Sequence, residues 1–249
     1  MIGDAQLARR LETFQAAVCA EFGQEVLQVG DGRAVFAGVG SPVTQAIGVD
    51  GDVERIESFF FERGADSIIQ VTPWSSREFL DTLSARGYRF HEFENVFARP
   101  LSPARTPPGS IDIRIADDLK TWTRIAAEAF ATPEMSADFL ETVMAPLAHA
   151  KSARCYLAYV DGQPAGAASL FLSTEQRVAG LFGAGTRSHY RRRGVQSAML
   201  QRRLEDAAEA GCDVAIVTTL PGSDSHRNVA RRGFELMYTK INMRLALPG

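Results

Sequence analysis

The chain contains two stretches that read as copies of one another. Arg63-Gly64-Ala65-Asp66 leads into the apolar run Ser67-Ile68-Ile69-Gln70-Val71-Thr72 and then Pro73. Ala210-Gly211-Cys212-Asp213 leads in the same way into Val214-Ala215-Ile216-Val217-Thr218-Thr219 and then Pro221. Further on, Arg86-Gly87-Tyr88-Arg89-Phe90 is answered by Arg232-Gly233-Phe234-Glu235-Leu236. The offset stays at about 147 residues, and two copies at one offset argue for a duplicated fold and not a solenoid, with chance similarity of short strand-turn-helix phrases as the alternative. Between the copies lies Arg99-Pro100-Leu101-Ser102-Pro103-Ala104-Arg105-Thr106-Pro107-Pro108-Gly109-Ser110. Its prolines and glycine cannot continue a helix or a central strand. The division predicted is a first domain over residues 1–101, a linker over 102–110 and a second domain over 111–249.

The second half is the easier to read. Ile111 to Ile115 alternates as a strand, Leu119 to Phe130 reads as a helix, and Ser136 to Met144 as another. Strands follow over Ala153 to Val160, Pro164 to Leu172 and Val178 to Thr186, the first two joined by an Asp161-Gly162 hairpin turn. A helix over Gly194 to Ala210, a buried strand over Val214 to Thr219, a helix over Ser225 to Arg231 and a strand or hairpin over Phe234 to Leu247 complete the half. Strands alternating with helices place the chain in the α/β or α+β class.

Composition removes several function classes. Hydrophobic residues make up 45% and charged residues 23%, with a formal charge of −3, so a core is affordable and no nucleic-acid or membrane-surface partner is expected. Cys19, Cys155 and Cys212 are scattered and lack paired spacing, which reads as reduced thiols of a cytoplasmic protein. The four histidines show no metal-ligand spacing, so no metal is expected. No run is long and apolar enough to span a bilayer, and the N-terminus lacks the apolar region of a signal peptide.

The chemistry is expected at Tyr190-Arg191-Arg192-Arg193-Gly194-Val195-Gln196-Ser197, between an apolar strand and a helix. The first N–H groups of a helix have no internal partner and carry partial positive charge, which suits a phosphate. Gly194 allows close approach to the backbone, and the three arginines add counter-charge for a pyrophosphate. On residue type alone, a solvated run of arginines beside an ordinary turn explains the segment equally well. The apolar stripe of the following helix is predicted at Leu200, Leu204, Ala207 and Ala208.

This segment resembles the acyl-CoA-binding signature of the GNAT superfamily of N-acetyltransferases, with Arg191 and Gly194 on two of its fixed positions. Gln196 stands where the family has Gly or Ala, a departure that a backbone-directed contact tolerates. The resemblance implies two domains, each a mixed, mostly antiparallel sheet flanked by helices, with acetyl-CoA as cosubstrate. It implies that Ala184, Gly185 and Thr186 offer backbone to the pantetheine arm. It places the pyrophosphate on Arg191, Arg192, Arg193, Gly194, Val195, Gln196 and Ser197, and adds Ser225 and Asn228 of the next helix. A plain helix N-cap is an equal reading of Ser225.

The family's reaction is direct acetyl transfer to an amine, here a small molecule, an amino acid or a peptide. Val229 stands where many members carry the tyrosine that protonates the departing thiolate, and Val178 to Thr186 holds no ionisable residue for a base. Catalytic residues are therefore unassigned, with Glu134, Asp138 and Ser225 as candidates and His189 and His226 close to the cofactor segment. Gly180, Gly183 and Gly185 read as room for an acceptor or as a bulge. A non-catalytic acyl-CoA-binding module is the alternative function. The partner is otherwise an amine acceptor, and the chain is a monomer or a homodimer.

The first half resembles the same fold in degenerate form. Val49-Asp50-Gly51-Asp52-Val53-Glu54-Arg55 replaces the arginine turn, and its carboxylates are expected to satisfy the helix dipole and repel phosphate. The helix predicted over Val53 to Arg63 carries Ile56, Phe59 and Phe60 as its apolar face.

Overall fold

The structure is a computed structural model that describes residues 4–102, 110–133 and 135–249. In chain order the elements are α1 (Ala5–Ala20), β1 (Glu25–Val29), β2 (Gly32–Phe36), β3 (Gln45–Ile47), α2 (Val53–Phe61), β4 (Ser67–Val71), α3 (Arg77–Ala85) and β5 (Arg89–Pro100). There follow β6 (Asp112–Ile115), α4 (Leu119–Phe130), α5 (Ala137–His149), β7 (Ala153–Val160), β8 (Gln163–Ser173) and β9 (Val178–Thr186). After a 3₁₀ turn at Ser188–Tyr190 come α6 (Val195–Glu209), β10 (Val214–Thr219), α7 (Asp224–Ala230) and β11 (Glu235–Leu245). The chain is thus of mixed α/β class.

Two compact units divide it. The first takes Met1–Arg99 together with Val217–Gly249, and the second takes Pro100–Ile216. The proline-rich stretch marks one change of unit, although residues 103–109 of the expected linker lie outside the described residues. The segment from Val217 onward, assigned by sequence to the second domain, packs with the first.

In the first unit the strand order is β1-β2-β3-β4-β11-β5. Neighbours are antiparallel except β3 and β4, which are parallel and joined by α2. The C-terminal β11 lies between β4 and β5, with Ile241 opposite Val71 on one side and Phe93 on the other. Its place is fixed by a polar residue. Lys240, 1% exposed, donates to Gln70 Oε1 at 2.8 Å and Gln15 Oε1 at 3.1 Å, and pairs with Glu12 at 3.2 Å and Glu94 at 3.5 Å. Burial opposes its charge, yet the two carboxylates outweigh burial and hold its pKa above the ordinary lysine value. A register slip of one residue would turn this ammonium away from both carboxylates. An apolar cluster including Ile56, Phe60, Ile69, Phe79 and Leu83 fills the space between this sheet and helices α2 and α3.

In the second unit the order is β10-β9-β8-β7-β6, antiparallel except for the parallel pair β9 and β10, joined by α6. The two units therefore share a device. Each has one parallel strand pair whose crossover helix starts from a left-handed residue, Asp52 (φ 51°) for α2 and Gly194 (φ 82°) for α6. This is the structural counterpart of the repeat read in the sequence.

Local sequence sets the helix starts. Asp118 accepts from the N–H groups of Lys120 and Thr121, opening α4 at the predicted residue, and Ser136 accepts from Phe139 N to open α5. Helix α5 runs on past the expected Met144 to His149, with Pro146 inside it. The inward face of α6 differs from the expected stripe. Val195, Met199, Arg203, Leu204, Asp206 and Ala207 are buried, whereas Leu200 and Ala208 are only half-buried. Two charged residues occupy that face because β7 and β8 supply their partners. Arg203 donates to Ser169 O at 2.9 Å and to Met199 O, and Asp206 accepts from Tyr156 Oη at 2.6 Å. With no carboxylate beside it, burial lowers the Arg203 pKa to about 10.

Candidate functional site

The site is built on β9 of the second unit. Its first three residues pair with β10, Val178 opposite Val214, Ala179 opposite Ala215 and Gly180 opposite Ile216. Beyond Gly180 the other edge of β9, from Leu181 to Thr186, has no strand partner among the described residues. The opposite edge stays paired with β8 through Thr186, which faces Gly166. A row of backbone groups is thus left for something other than a strand.

The bend that frees this edge has a local cause. The β8–β9 register shifts between Ala167 and Ser169, and Gly183 takes a left-handed φ of 57°. Three contacts hold the bulge: Ser169 Oγ donates to Phe182 O at 2.8 Å, Trp122 Nε1 to Ala168 O at 3.0 Å, and Arg203 to Ser169 O. Gly183 therefore answers to the bulge. Gly185 has a different role from the expected acceptor space, since a Cβ there would overlap the Cβ of Ala129 on α4. Its lack of a side chain lets α4 lie directly on the strand.

From Thr186 the chain reaches the arginine turn. Arg191, Arg192 and Arg193 are exposed, and Arg192 is itself left-handed at φ 61°. Their partners differ. Arg193 pairs with Asp161 at 3.0 Å and lies over the Tyr190 ring, and Arg191 Nε reaches Thr186 O at 3.4 Å. Arg192 has no partner among the described residues. Gly194 caps α6 without any side chain, and a Cβ placed on it would meet nothing within 4 Å. Val195 is buried and anchors the first turn, Gln196 is exposed and Ser197 half-buried. The result is a helix end open to an anion, with a free guanidinium beside it. One further atom is unsatisfied: Thr186 Oγ1 is buried and has no hydrogen-bond partner among the described residues.

The structure brings Ala184, Gly185, Thr186 and Arg191 to Ser197 into one continuous segment of the second unit, while Ser225 and Asn228 lie on α7 in the first. Ser223, not Ser225, caps α7, accepting from His226 N at 3.1 Å; Ser225 is exposed within the helix and Asn228 half-buried. His226 contacts Asn95 Nδ2 at 3.2 Å and stands edge-on to Phe97, both in its own unit. His189 is exposed beside Ser188, and Val229 is buried. Asp138 lies exposed in the first turn of α5, and Glu134 lies outside the described residues. Sequence reasoning missed Glu128, which pairs with Arg187 at 2.8 Å where α4 meets the end of β9. No group of histidine, cysteine or acidic side chains among the described residues could hold a metal ion, and no helix among them is long and apolar enough to cross a membrane.

The degenerate turn of the first unit is arranged differently from the expectation. Asp52 makes no capping hydrogen bond at α2, and Asp50 accepts from Ser76 N at 2.9 Å and Ser76 Oγ at 3.0 Å, bracing the start of α3.

Comparison with known proteins agrees with the geometry. Residues 117–234 match the model of the acetyltransferase (GNAT) family. A GCN5-related N-acetyltransferase from Kribbella flavida superposes with a TM-score of 0.69 at 18% identity, covering 100% of this chain and 97% of its own. A tandem GNAT protein from the clavulanic acid biosynthesis pathway gives 0.59 at 13% identity, covering 100% and 98%. A GCN5-related N-acetyltransferase from Sphaerobacter thermophilus gives 0.52 at 20%, covering 74% of this chain and 61% of its own. No curated protein matches the chain. The matched residues 117–234 carry the β9 edge and the arginine turn, so this part of the chain is similar to the acetyltransferase (GNAT) family.

Proposed function

We propose that the chain is an acetyl-CoA-dependent N-acetyltransferase that moves the acetyl group directly to a primary amine of a small molecule, amino acid or peptide. The observation that carries this reading is the unpaired edge Leu181–Thr186 running into the open turn at Gly194. Acetyl-CoA supplies an activated acyl thioester. The backbone of Ala184, Gly185 and Thr186 would bind its pantetheine amides, with Thr186 Oγ1 gaining the partner it lacks. The α6 N-terminus and Arg192 would take the pyrophosphate, Arg191 and Arg193 being partly spent on Thr186 and Asp161.

No acid or base lies on β9, so in this account the rate comes from holding amine and thioester together and from backbone N–H donation to the developing oxyanion. The amine proton leaves through water. We keep the division of labour proposed by the sequence: the family domain spans 111–249, with a degenerate copy over 1–101 that serves as scaffold. A monomer or homodimer in the cytoplasm is the setting proposed.

The buried Val229 at the usual tyrosine position favours one competing reading, a module that binds acyl-CoA without turning it over. Free thiol release from acetyl-CoA in the presence of a panel of primary amines separates the two. Amine-dependent release that is lost in Gly194→Pro supports catalysis. Acetyl-CoA binding without release for any amine supports the module.

A further inference from the structure

A cavity of about 490 Å³ opens in the first unit, lined by α1, the turn after β1, the loop from β3 into α2 and the loop after β4. Its volume falls within the range of small-molecule sites. It occupies the place that the open arginine turn holds in the second unit, at the start of the crossover helix, but its sign is inverted. Glu12, Asp31, Asp50 and Asp52 line it against a single cation, Arg9. The Arg9 guanidinium lies 5.9 Å from the ring of Trp74, which forms an aromatic wall.

The most informative group is Glu12. It lines the cavity at 4% exposure. Its Oε1 is heavily used, accepting from Tyr238 Oη at 2.6 Å and from Gln15 Nε2 at 3.3 Å and pairing with Lys240 at 3.2 Å. Its Oε2 is buried without a partner among the described residues. A buried carboxylate oxygen left empty is costly unless something donates to it. The protein has already spent its nearby ammonium, Lys240, on Oε1. Asp52 adds a carboxylate with no capping duty, and Asp31 another exposed one. A phosphate would meet repulsion here, and a metal ion lacks a ligand group among the described residues.

We propose that this cavity binds a small organic cation, a primary ammonium or guanidinium carried on a compact apolar body. Its N–H groups donate to Glu12 Oε2, its charge is balanced by Asp31 and Asp52, and its apolar part lies against Trp74. The site is independent of the acetyltransferase reading, and it gives the degenerate unit a binding role of its own.

The test is calorimetric titration of the full chain with phenethylamine and with agmatine, using phenethyl alcohol as the neutral isostere of the first. One of the two amines is expected to bind at least tenfold more tightly than the alcohol. Glu12→Gln is expected to weaken that binding at least tenfold, and Asp52→Asn severalfold with unchanged thermal stability. Should Glu12→Gln fail to fold, Asp52→Asn and Asp31→Asn decide, since both positions are exposed. Gly194→Pro is expected to leave the binding intact, which separates this cavity from any amine site next to the arginine turn. Failure of both amines to bind, equal affinity for the alcohol, or amine affinity unchanged in the folded carboxylate variants would overturn the proposal.

Discussion

Gly185→Ala tests how closely α4 must approach β9. The added Cβ would overlap the Cβ of Ala129. Both residues sit on regular elements, so neither can step aside cheaply, and overpacking of this kind costs about 1–3 kcal/mol. Gly185 has no left-handed φ, so backbone strain adds nothing. Ala129→Gly should remove the overlap at its own cost of about 1 kcal/mol for a glycine inside a helix. The double variant should then lie close to Ala129→Gly alone, a coupling of about 1–3 kcal/mol. Urea unfolding followed by far-UV circular dichroism measures each corner of the cycle, and with a slope near 2 kcal/mol/M the single variant moves the midpoint by about 1 M. Gly194→Ala is the control. Its Cβ meets nothing within 4 Å, while its φ of 82° costs about 1–2 kcal/mol for any L side chain. That loss should be untouched by Ala129→Gly. A Gly185→Ala protein as stable as wild type, or one not relieved by Ala129→Gly, would refute the claim that this glycine exists for helix packing.

Other consequences follow from buried charge. Lys240→Met should cost about 3–5 kcal/mol by leaving Glu12 and Glu94 without their cation, and adding Glu12→Gln should recover part of it in the same urea assay. Asp66 accepts from Leu247 N at 2.8 Å and pairs with Arg244, which together hold its carboxyl below the usual range. Its contribution is present above the ordinary aspartate pKa of about 3.9 and fades as pH falls through the lower folded value. Asp66→Asn should therefore lower the melting temperature more at pH 7 than at pH 3. Burial pushes the thiols of Cys19 and Cys155 up to about 12 and that of Cys212 to about 11. Cys155 and Cys212 are buried and should not react promptly with Ellman's reagent at pH 8 until denaturant exposes them.

Much of the second half was legible because its signals are local. The strands Ala153–Val160, Val178–Thr186 and Val214–Thr219 and the helix Leu119–Phe130 fall on the residues that alternation, turn chemistry and capping indicate. Left-handed Asp161 and Gly162 form the turn that their sequence announces. The rest was hidden where partners are distant in sequence. Arg203 and Asp206 look like surface residues until Ser169 and Tyr156 arrive from β8 and β7. The stripe read from apolar spacing alone was consequently rotated. Lys240 has no local signal of burial, and only α1, β4 and β5 make it a core position. Likewise, nothing near residues 217–249 in sequence says that they complete the sheet begun by residues 25–71. The arginine turn was readable because strand, glycine and helix start are contiguous. Glu128 was not, because its partner Arg187 lies far along the sequence.

The most direct test of the central claim is calorimetric titration of acetyl-CoA into the wild-type chain, Gly194→Pro and Arg192→Glu. Wild type should bind saturably at one site. Reversing the free guanidinium should weaken binding about tenfold, as expected for one charge-assisted contact to phosphate. Gly194→Pro should lose binding, because proline cannot take the φ of 82° that opens the helix end. Absence of binding by the wild-type protein, or equal affinity in all three, would contradict the assignment of the β9 edge and arginine turn as the acetyl-CoA site.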